Sequence, residues 1–279
     1  MPRLIELDLS FNTIDHLAED AFSKCPKLRQ LDLSGNYLTN FNGALQELQN
    51  LKRLNSSFNM IQLLQWDEFP VTMTHLEMSN NQITLLSSTQ RSRIRHVQLQ
   101  RNRIMALTDE QIPNTVEYVN LSDNLIHTID NGTFRNKQFL SNLDLRKNQL
   151  TKLEIAAFMV DSLTTGHPVR LSVADNPLDC SCEMDWIRNN KHEKSLIDII
   201  DDNRAVCLHR IYNRRILLSE VRKDDLLCNY KQVCEPNCIC CQYGNCDCKS
   251  KMSRWLSLLL WCHIYHKYCT LYSITIGRS

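Results

Sequence analysis

The pattern L-x-x-L-x-L-x-x-N-x-L returns eight times in phase through the first 178 residues. It reads LIELDLSFNTI from Leu4, LRQLDLSGNYL from Leu28, LKRLNSSFNMI from Leu51 and MTHLEMSNNQI from Met73. It continues as IRHVQLQRNRI from Ile94, VEYVNLSDNLI from Val116, LSNLDLRKNQL from Leu140 and the weaker PVRLSVADNPL from Pro168. The asparagines fall at Asn12, Asn36, Asn59, Asn81, Asn102, Asn124, Asn148 and Asn176, in steps of 21 to 24 residues until a last step of 28. A period of this length makes each unit one supersecondary element that cannot bury its own apolar face. Stacking supplies the core, and the ends need caps.

Each position of the unit has a physical task. Alternation in x-L-x-L-x predicts a short strand with its leucines inside and the intervening residues outside. The asparagine stands where the chain leaves the strand, and its amide can bond the backbone of that turn and of neighbouring coils. Ten residues after an asparagine come Phe22, Phe69, Phe134 and Phe158, expected to stack as an aromatic spine under the convex side.

The cysteines divide the chain. Twelve of thirteen lie at or after Cys180, and only Cys25 precedes them. Cys25 is expected to be a buried thiol that behaves as a small hydrophobe. The run VCEPNCICCQYGNCDCKSK carries Cys234, Cys238, Cys240, Cys241, Cys246 and Cys248. No histidine lies between Ile211 and Lys251, so a disulfide framework is favoured over zinc. Cys180, Cys182, Cys207 and Cys228 allow three pairings. A disulfide reading needs an oxidising compartment. No leader is visible, since Met1 runs directly into PRLIELDLSFN. We therefore read the chain as a piece of a longer protein, truncated at its amino-terminal end.

Other classes find little support. The net charge of +1 gives no bulk reason for a nucleic-acid or anionic-membrane partner. With six glycines the chain has neither G-x-G-x-x-G nor G-x-x-x-x-G-K-[ST]. It has no H-E-x-x-H or G-x-S-x-G either. No catalytic residue, cofactor or metal is expected.

The repeat is the leucine-rich-repeat signature, and about two-thirds of the chain resembles that superfamily. The resemblance implies an α/β fold: a right-handed solenoid with a parallel sheet on its concave face. NPLDCSCEMDWIRNN resembles the cysteine-rich carboxy-terminal cap of extracellular members. It implies pairing of Cys180 with Cys207 and of Cys182 with Cys228, with Trp186 in the core of the cap. The order of parts, a cap and then C-x-CC-x4-C-D-C, resembles the juncture between two solenoid blocks of insect-type Toll receptors. The implied organisation is repeats over 1–178, a cap over 177–228, a second cysteine-rich segment over 229–251 and an irregular tail over 252–279.

The tail departs from that pattern: after Lys251 it reads MSRWLSLLLWCHIYHKYCTLYSITIGRS, without the family's C-P-x-x-C. One base forward, codons compatible with Lys-Met-Ser-Arg-Trp-Leu permit Lys-Cys-Pro-Asp-Gly-Cys, so the tail reads as frameshifted. His263, His266 and Lys267 interrupt its apolar stretch well before the ~20 residues of a membrane span.

Outward strand positions and the residues flanking them supply the candidate binding residues: Asp8, Asp32, Glu77, His96, Arg101, Tyr118, Asp144, Arg146 and Arg170. This face leans acidic at its amino-terminal end and basic at the other. Three N-x-[ST] sequons offer glycan acceptors at Asn55, Asn120 and Asn131. The resemblance implies the ligand-binding, non-catalytic part of a Toll-like signalling receptor in innate immunity or development. Its partner would be a protein such as a cystine-knot cytokine, or a microbial molecule, and receptors would pair as homodimers. It would face the cell exterior or be secreted, and be tied to the membrane only through parts outside this chain. The alternative is a secreted adhesion, matrix or decoy protein built on the same solenoid.

Overall fold

The computed structural model describes residues 1–226 except 89–91, 162, 165, 190–195, 211 and all that follow 226. Cys228, the run from Cys234 to Cys248, the second cysteine-rich segment and the tail lie outside the described residues.

Nine short strands stack side by side in one parallel sheet. They are β1 (Glu6–Asp8), β2 (Gln30–Asp32), β3 (Arg53–Asn55), β4 (His75–Glu77) and β5 (His96–Gln98). Then come β6 (Tyr118–Asn120), β7 (Asn142–Asp144), β8 (Val169–Ser172) and β9 (Ile197–Ile199). The register is unbroken: Leu7 faces Leu31, which faces Leu54, and so on through Leu76, Val97, Val119, Leu143 and Leu171 to Ile199. From Leu31 to Leu171 these central side chains are buried, and each such burial contributes roughly 1.5–3 kcal/mol. Strands of three or four residues fit a solenoid because each needs only one inward residue between two outward ones.

The asparagines form a second, polar spine. Asn124 Nδ2 donates to the carbonyls of Leu121 in its own turn and Leu99 in the preceding coil, both at 3.0 Å. Its Oδ1 accepts from Ile104 N–H at 3.1 Å. The same linkage recurs at Asn36, Asn59, Asn81, Asn102, Asn148 and Asn176. At the next turn Asp201 makes a different link, its carboxylate accepting from Val173 N–H at 3.0 Å and Ala174 N–H at 2.8 Å of the coil before it.

The residue before each asparagine is held at positive φ: Phe11, Gly35, Phe58, Asn80, Arg101, Asp123, Lys147 and Asp175. The chain turns off the strand there, and only a left-handed residue lets the asparagine fold inward. Glycine, asparagine and aspartate adopt this readily, whereas a bulky side chain costs about 1–2 kcal/mol.

The convex side differs from the expected aromatic spine. Phe134 stacks on Phe158 at 6.1 Å, and Phe158 meets Trp186 at 6.3 Å. At the other end Phe69 packs edge-on against Phe41 at 5.6 Å. The two aromatic groups are separated because Ile112 occupies the convex anchor of one intervening coil and is fully buried there. Lys137 is also wholly buried, its ammonium donating to Asp109 O (2.9 Å), Asp109 Oδ1 (2.6 Å) and Asn114 Oδ1 (2.8 Å). Cys25 is a buried free thiol.

The cap continues the solenoid before closing it. β9 adds to β8 in parallel. Strands Leu178–Asp179, Val206–His209 and Arg214–Leu217 then form a separate small sheet. A disulfide joins Cys180 to Cys207. Cys182 is also disulfide-bonded; its expected partner Cys228 lies outside the described residues. Trp186 packs on the last coil, with its indole N–H donating to Leu153 O at 2.7 Å.

Candidate ligand-binding face

Because the register never slips, outward residues of the sheet form two straight columns. The first runs Glu6, Gln30, Arg53, His75, His96, Tyr118, Asn142, Arg170 and Asp198. The second runs Asp8, Asp32, Asn55, Glu77, Gln98, Asn120, Asp144 and Ser172. Of the expected binding residues, His96, Tyr118 and Arg170 stand in the first column, and Asp8, Asp32, Glu77 and Asp144 in the second. Arg101 and Arg146 stand beyond the strands, on the turns.

The middle of the first column is a ladder of rings. His75 stacks on His96 at 4.4 Å with their planes 2° apart, and His96 stacks on Tyr118 at 6.2 Å. His96 Nε2 also lies 3.5 Å from a Glu117 carboxylate oxygen. Partial burial, and then the neighbouring His96 and Arg53, hold the His75 pKa below its ordinary value.

The acidic end is arranged differently. Asp32 Oδ1 accepts from Ser34 N–H at 2.8 Å and the Ser34 hydroxyl at 2.6 Å, while Asn55 Nδ2 donates to Asp32 Oδ2 at 3.0 Å. Asp8 stands opposite Asp32, fully exposed, and its hydrogen bonds with Ser10 hold its pKa below the usual carboxylate value. Glu77 stands apart from this pair, with Asn55 between it and Asp32.

At the basic end, Asp144 and Arg146 neutralise one another: Arg146 Nε lies 3.0 and 3.1 Å from the two Asp144 oxygens, and Nη2 lies 2.5 Å from one of them. That bonding raises the Arg146 pKa. Arg146 and Arg101 line a cavity of about 370 Å³ together with Lys147, Arg204, Gln100, Asp123 and Asp175. Arg101 is paired with Asp123 at 3.4 Å. Among the described residues, Lys147, Arg170 and Arg204 take part in no ion pair.

The sequence reading left out Arg204, which reaches this cavity from the cap, and Asp201, whose carboxylate holds the backbone of the preceding turn. The signal was present in LIDIIDDN, from Leu196 to Asn203. Ile197 and Ile199 alternate as a strand does, and Asp201 follows at the turn. It went unread because isoleucine stands for leucine and the asparagine position, five residues after the central strand residue, holds Arg204.

The sequons sit unequally. Asn131 is exposed. Asn120 uses Oδ1 to accept from Ser122, whereas Asn55 spends Nδ2, the atom a glycan would take, on Asp32.

Comparison with known proteins agrees with this architecture. The family described as Leucine rich repeat matches residues 2–61. Toll-like receptor 7 of Drosophila melanogaster is 30% identical over 223 residues, covering 77% of this chain and 15% of that protein. Transforming growth factor beta activator LRRC33 of Danio rerio is 27% identical over 235 residues, covering 78% of this chain and 33% of the relative. The chain thus spans a minor part of the relatives it matches. Among solved structures, the Toll–Spatzle complex of Drosophila superposes with a TM-score of 0.64 at 21% identity, over 81% of this chain and 32% of that one. Among the described residues no helix is long and apolar enough to cross a membrane. With its in-register strands and its asparagine series, the chain is a leucine-rich-repeat solenoid, similar over 77% of its length to part of a Toll-like receptor.

Proposed function

We propose that this chain binds a protein ligand outside the cell, as part of a Toll-like receptor ectodomain. The observation that carries the reading is the pair of unbroken outward columns, one across nine parallel strands and one across eight. A rigid surface of that length presents side chains from many coils at once, which suits a macromolecular partner better than a small molecule. The aromatic and basic stretch from His96 to Arg170 is the contact we favour. Tyrosine and arginine dominate binding energies at protein interfaces, and Arg170 carries a charge free of an ion pair among the described residues. The likeness to a chain of the Toll–Spatzle complex supports a protein ligand; within that class we favour a cystine-knot cytokine, with ligand-driven pairing of ectodomains as the signalling step. Asn131 and Asn120 are the favoured glycan acceptors. Disulfides among Cys234, Cys238, Cys240, Cys241, Cys246 and Cys248 belong to the same extracellular reading.

The test is surface plasmon resonance with recombinant Spatzle as the probe, flowed over the immobilised chain. Tyr118→Ala and Arg170→Ala should each weaken binding at least fivefold, while Lys24→Ala on the opposite side should not. No binding by the parent chain, or equal binding by all variants, would refute the assignment.

A further inference from the structure

The left-handed position before each asparagine is filled unevenly along the solenoid. Gly35, Asn80, Asp123 and Asp175 are ordinary choices there, but Phe11 and Phe58 are bulky side chains in a conformation that disfavours them. Their rings gain only partial burial in return: Phe58, with a coil on either side, is still 55% exposed, and Phe11, on the first coil, rests against Gly35. Between them Gly35 leaves room for the Phe11 ring, which lies so close that a Cβ on residue 35 would meet its Cδ1 at 2.7 Å. Two residues beyond the left-handed position, Tyr37 and Met60 are exposed as well. The first three coils thus carry a lateral aromatic patch that costs the fold both strain and apolar exposure. The fold needs a left-handed residue there but not a phenylalanine, and an exposed ring kept at that cost points to a binding role.

The neighbouring column sets the sign of the partner. Three residues before Phe11 and Gly35 stand Asp8 and Asp32, paired in register across β1 and β2. Both oppose each other without an ion pair among the described residues. Serine and asparagine donors hold Asp32, and Ser10 N–H donates to Asp8. Aromatic rings beside uncompensated carboxylates match an arginine- or lysine-bearing segment, whose stem packs on a ring while its charge meets a carboxylate.

We infer that the edge formed by Phe11, Tyr37, Phe58 and Met60, with Asp8 and Asp32 beside it, docks a basic, apolar segment of a protein partner. This deepens the protein-binding reading above and rests on it only in taking the partner to be a protein. It uses the opposite end of the face from Tyr118 and Arg170.

The probe is a fluorescein-labelled octapeptide alternating arginine and leucine, with a glutamate–leucine octapeptide as its counterpart. Each is titrated against the full chain by fluorescence anisotropy. The arginine peptide should bind at least tenfold tighter than the glutamate peptide. Phe11→Ser with Phe58→Ser should remove at least tenfold of that affinity, and Asp8→Asn with Asp32→Asn should flatten its dependence on salt. Tyr118→Ala with Arg170→Ala should leave it within twofold. Asp8 and Asp32 are exposed or half-exposed, so the second pair tests the inference even if the first unfolds a coil. Equal binding of the two peptides, or full retention by the Asp8/Asp32 pair, overturns the inference. Loss in the Tyr118/Arg170 pair moves the site to the basic end and overturns it too. Spatzle binding, measured separately, can fail while peptide binding persists, so the two readings fall independently.

Discussion

Replacing Asn124 with alanine tests the polar spine, because its cost follows from which partners are left alone. The side chain donates to Leu99 O, Leu121 O and Ser122 O and accepts from Ile104 N–H. Its loss does not orphan the carbonyls. Leu99 O still receives Asn102 Nδ2, Leu121 O still receives Asn148 Nδ2, and Ser122 O still receives Arg101 N–H. Only Ile104 N–H is stranded, which costs about 1–3 kcal/mol, and the lost amide volume adds about 1 kcal/mol. The expected destabilisation is therefore about 2–4 kcal/mol, well below a sum over every bond. Asn124→Asp discriminates further. It keeps an acceptor for Ile104 but turns the donor into an oxygen facing two carbonyls. At pH 7.5 it should cost more than alanine and recover partly as falling pH protonates the carboxyl. Asn12→Ala, whose side-chain bonds are exposed and confined to its own turn, should cost under about 0.5 kcal/mol. Urea unfolding with shared slopes, together with amide exchange at Ile104, measures all three variants. An Asn124→Ala value within about 0.5 kcal/mol of the parent, or an aspartate milder than alanine at pH 7.5, would refute the reasoning.

Other outcomes follow from the same contacts. Replacing Cys180 and Cys207 together with serine opens a crosslink spanning 27 residues, so cap unfolding should become easier by about 3–4 kcal/mol in urea. Lys137→Met should cost about 1–2 kcal/mol by losing the bonds to Asp109 and Asn114. Lys137→Ala should cost more in the same urea series, because it also empties the buried stem's volume. His75 and His209 both have pKa values below the ordinary one, chiefly through burial, so the unfolded chain binds protons more readily. Stability should then be complete above about pH 7 and fall as pH drops through about 6.5. Thermal melts at pH 7.5 and 5.5 read the loss, and His75→Gln should remove part of it.

The repeats were legible because period-two burial and a fixed asparagine leave one solution, a stack of coils. Leu31, Leu54 and Leu76 lie where alternation places them. What escaped was set by neighbours rather than by the unit itself. Ile112 replaces a phenylalanine on the convex side because volume, not aromaticity, is needed there. Lys137 is buried because Asp109 and Asn114 come from the preceding coil to meet it, a pairing no local pattern announces. β9 was hidden because Arg204 stands where the repeat has its asparagine, five residues after Ile199. The strained left-handed position was written in the Gly-Asn, Asn-Asn and Asp-Asn pairs, but Phe11, Phe58, Arg101 and Lys147 obscured it. For the binding face, sequence named the residues, whereas structure sorted them into two columns. It also showed that Arg146 is neutralised by Asp144 while Arg170 has no ion pair among the described residues.

The most direct test of a protein-binding concave face is hydrogen exchange of the chain alone and with saturating recombinant Spatzle. The account predicts added protection at the edges of β5 to β8, from His96 to Ser172, with the convex segments around Asp67 and Glu154 unchanged. Protection confined to the convex segments, or none at saturation, would contradict it.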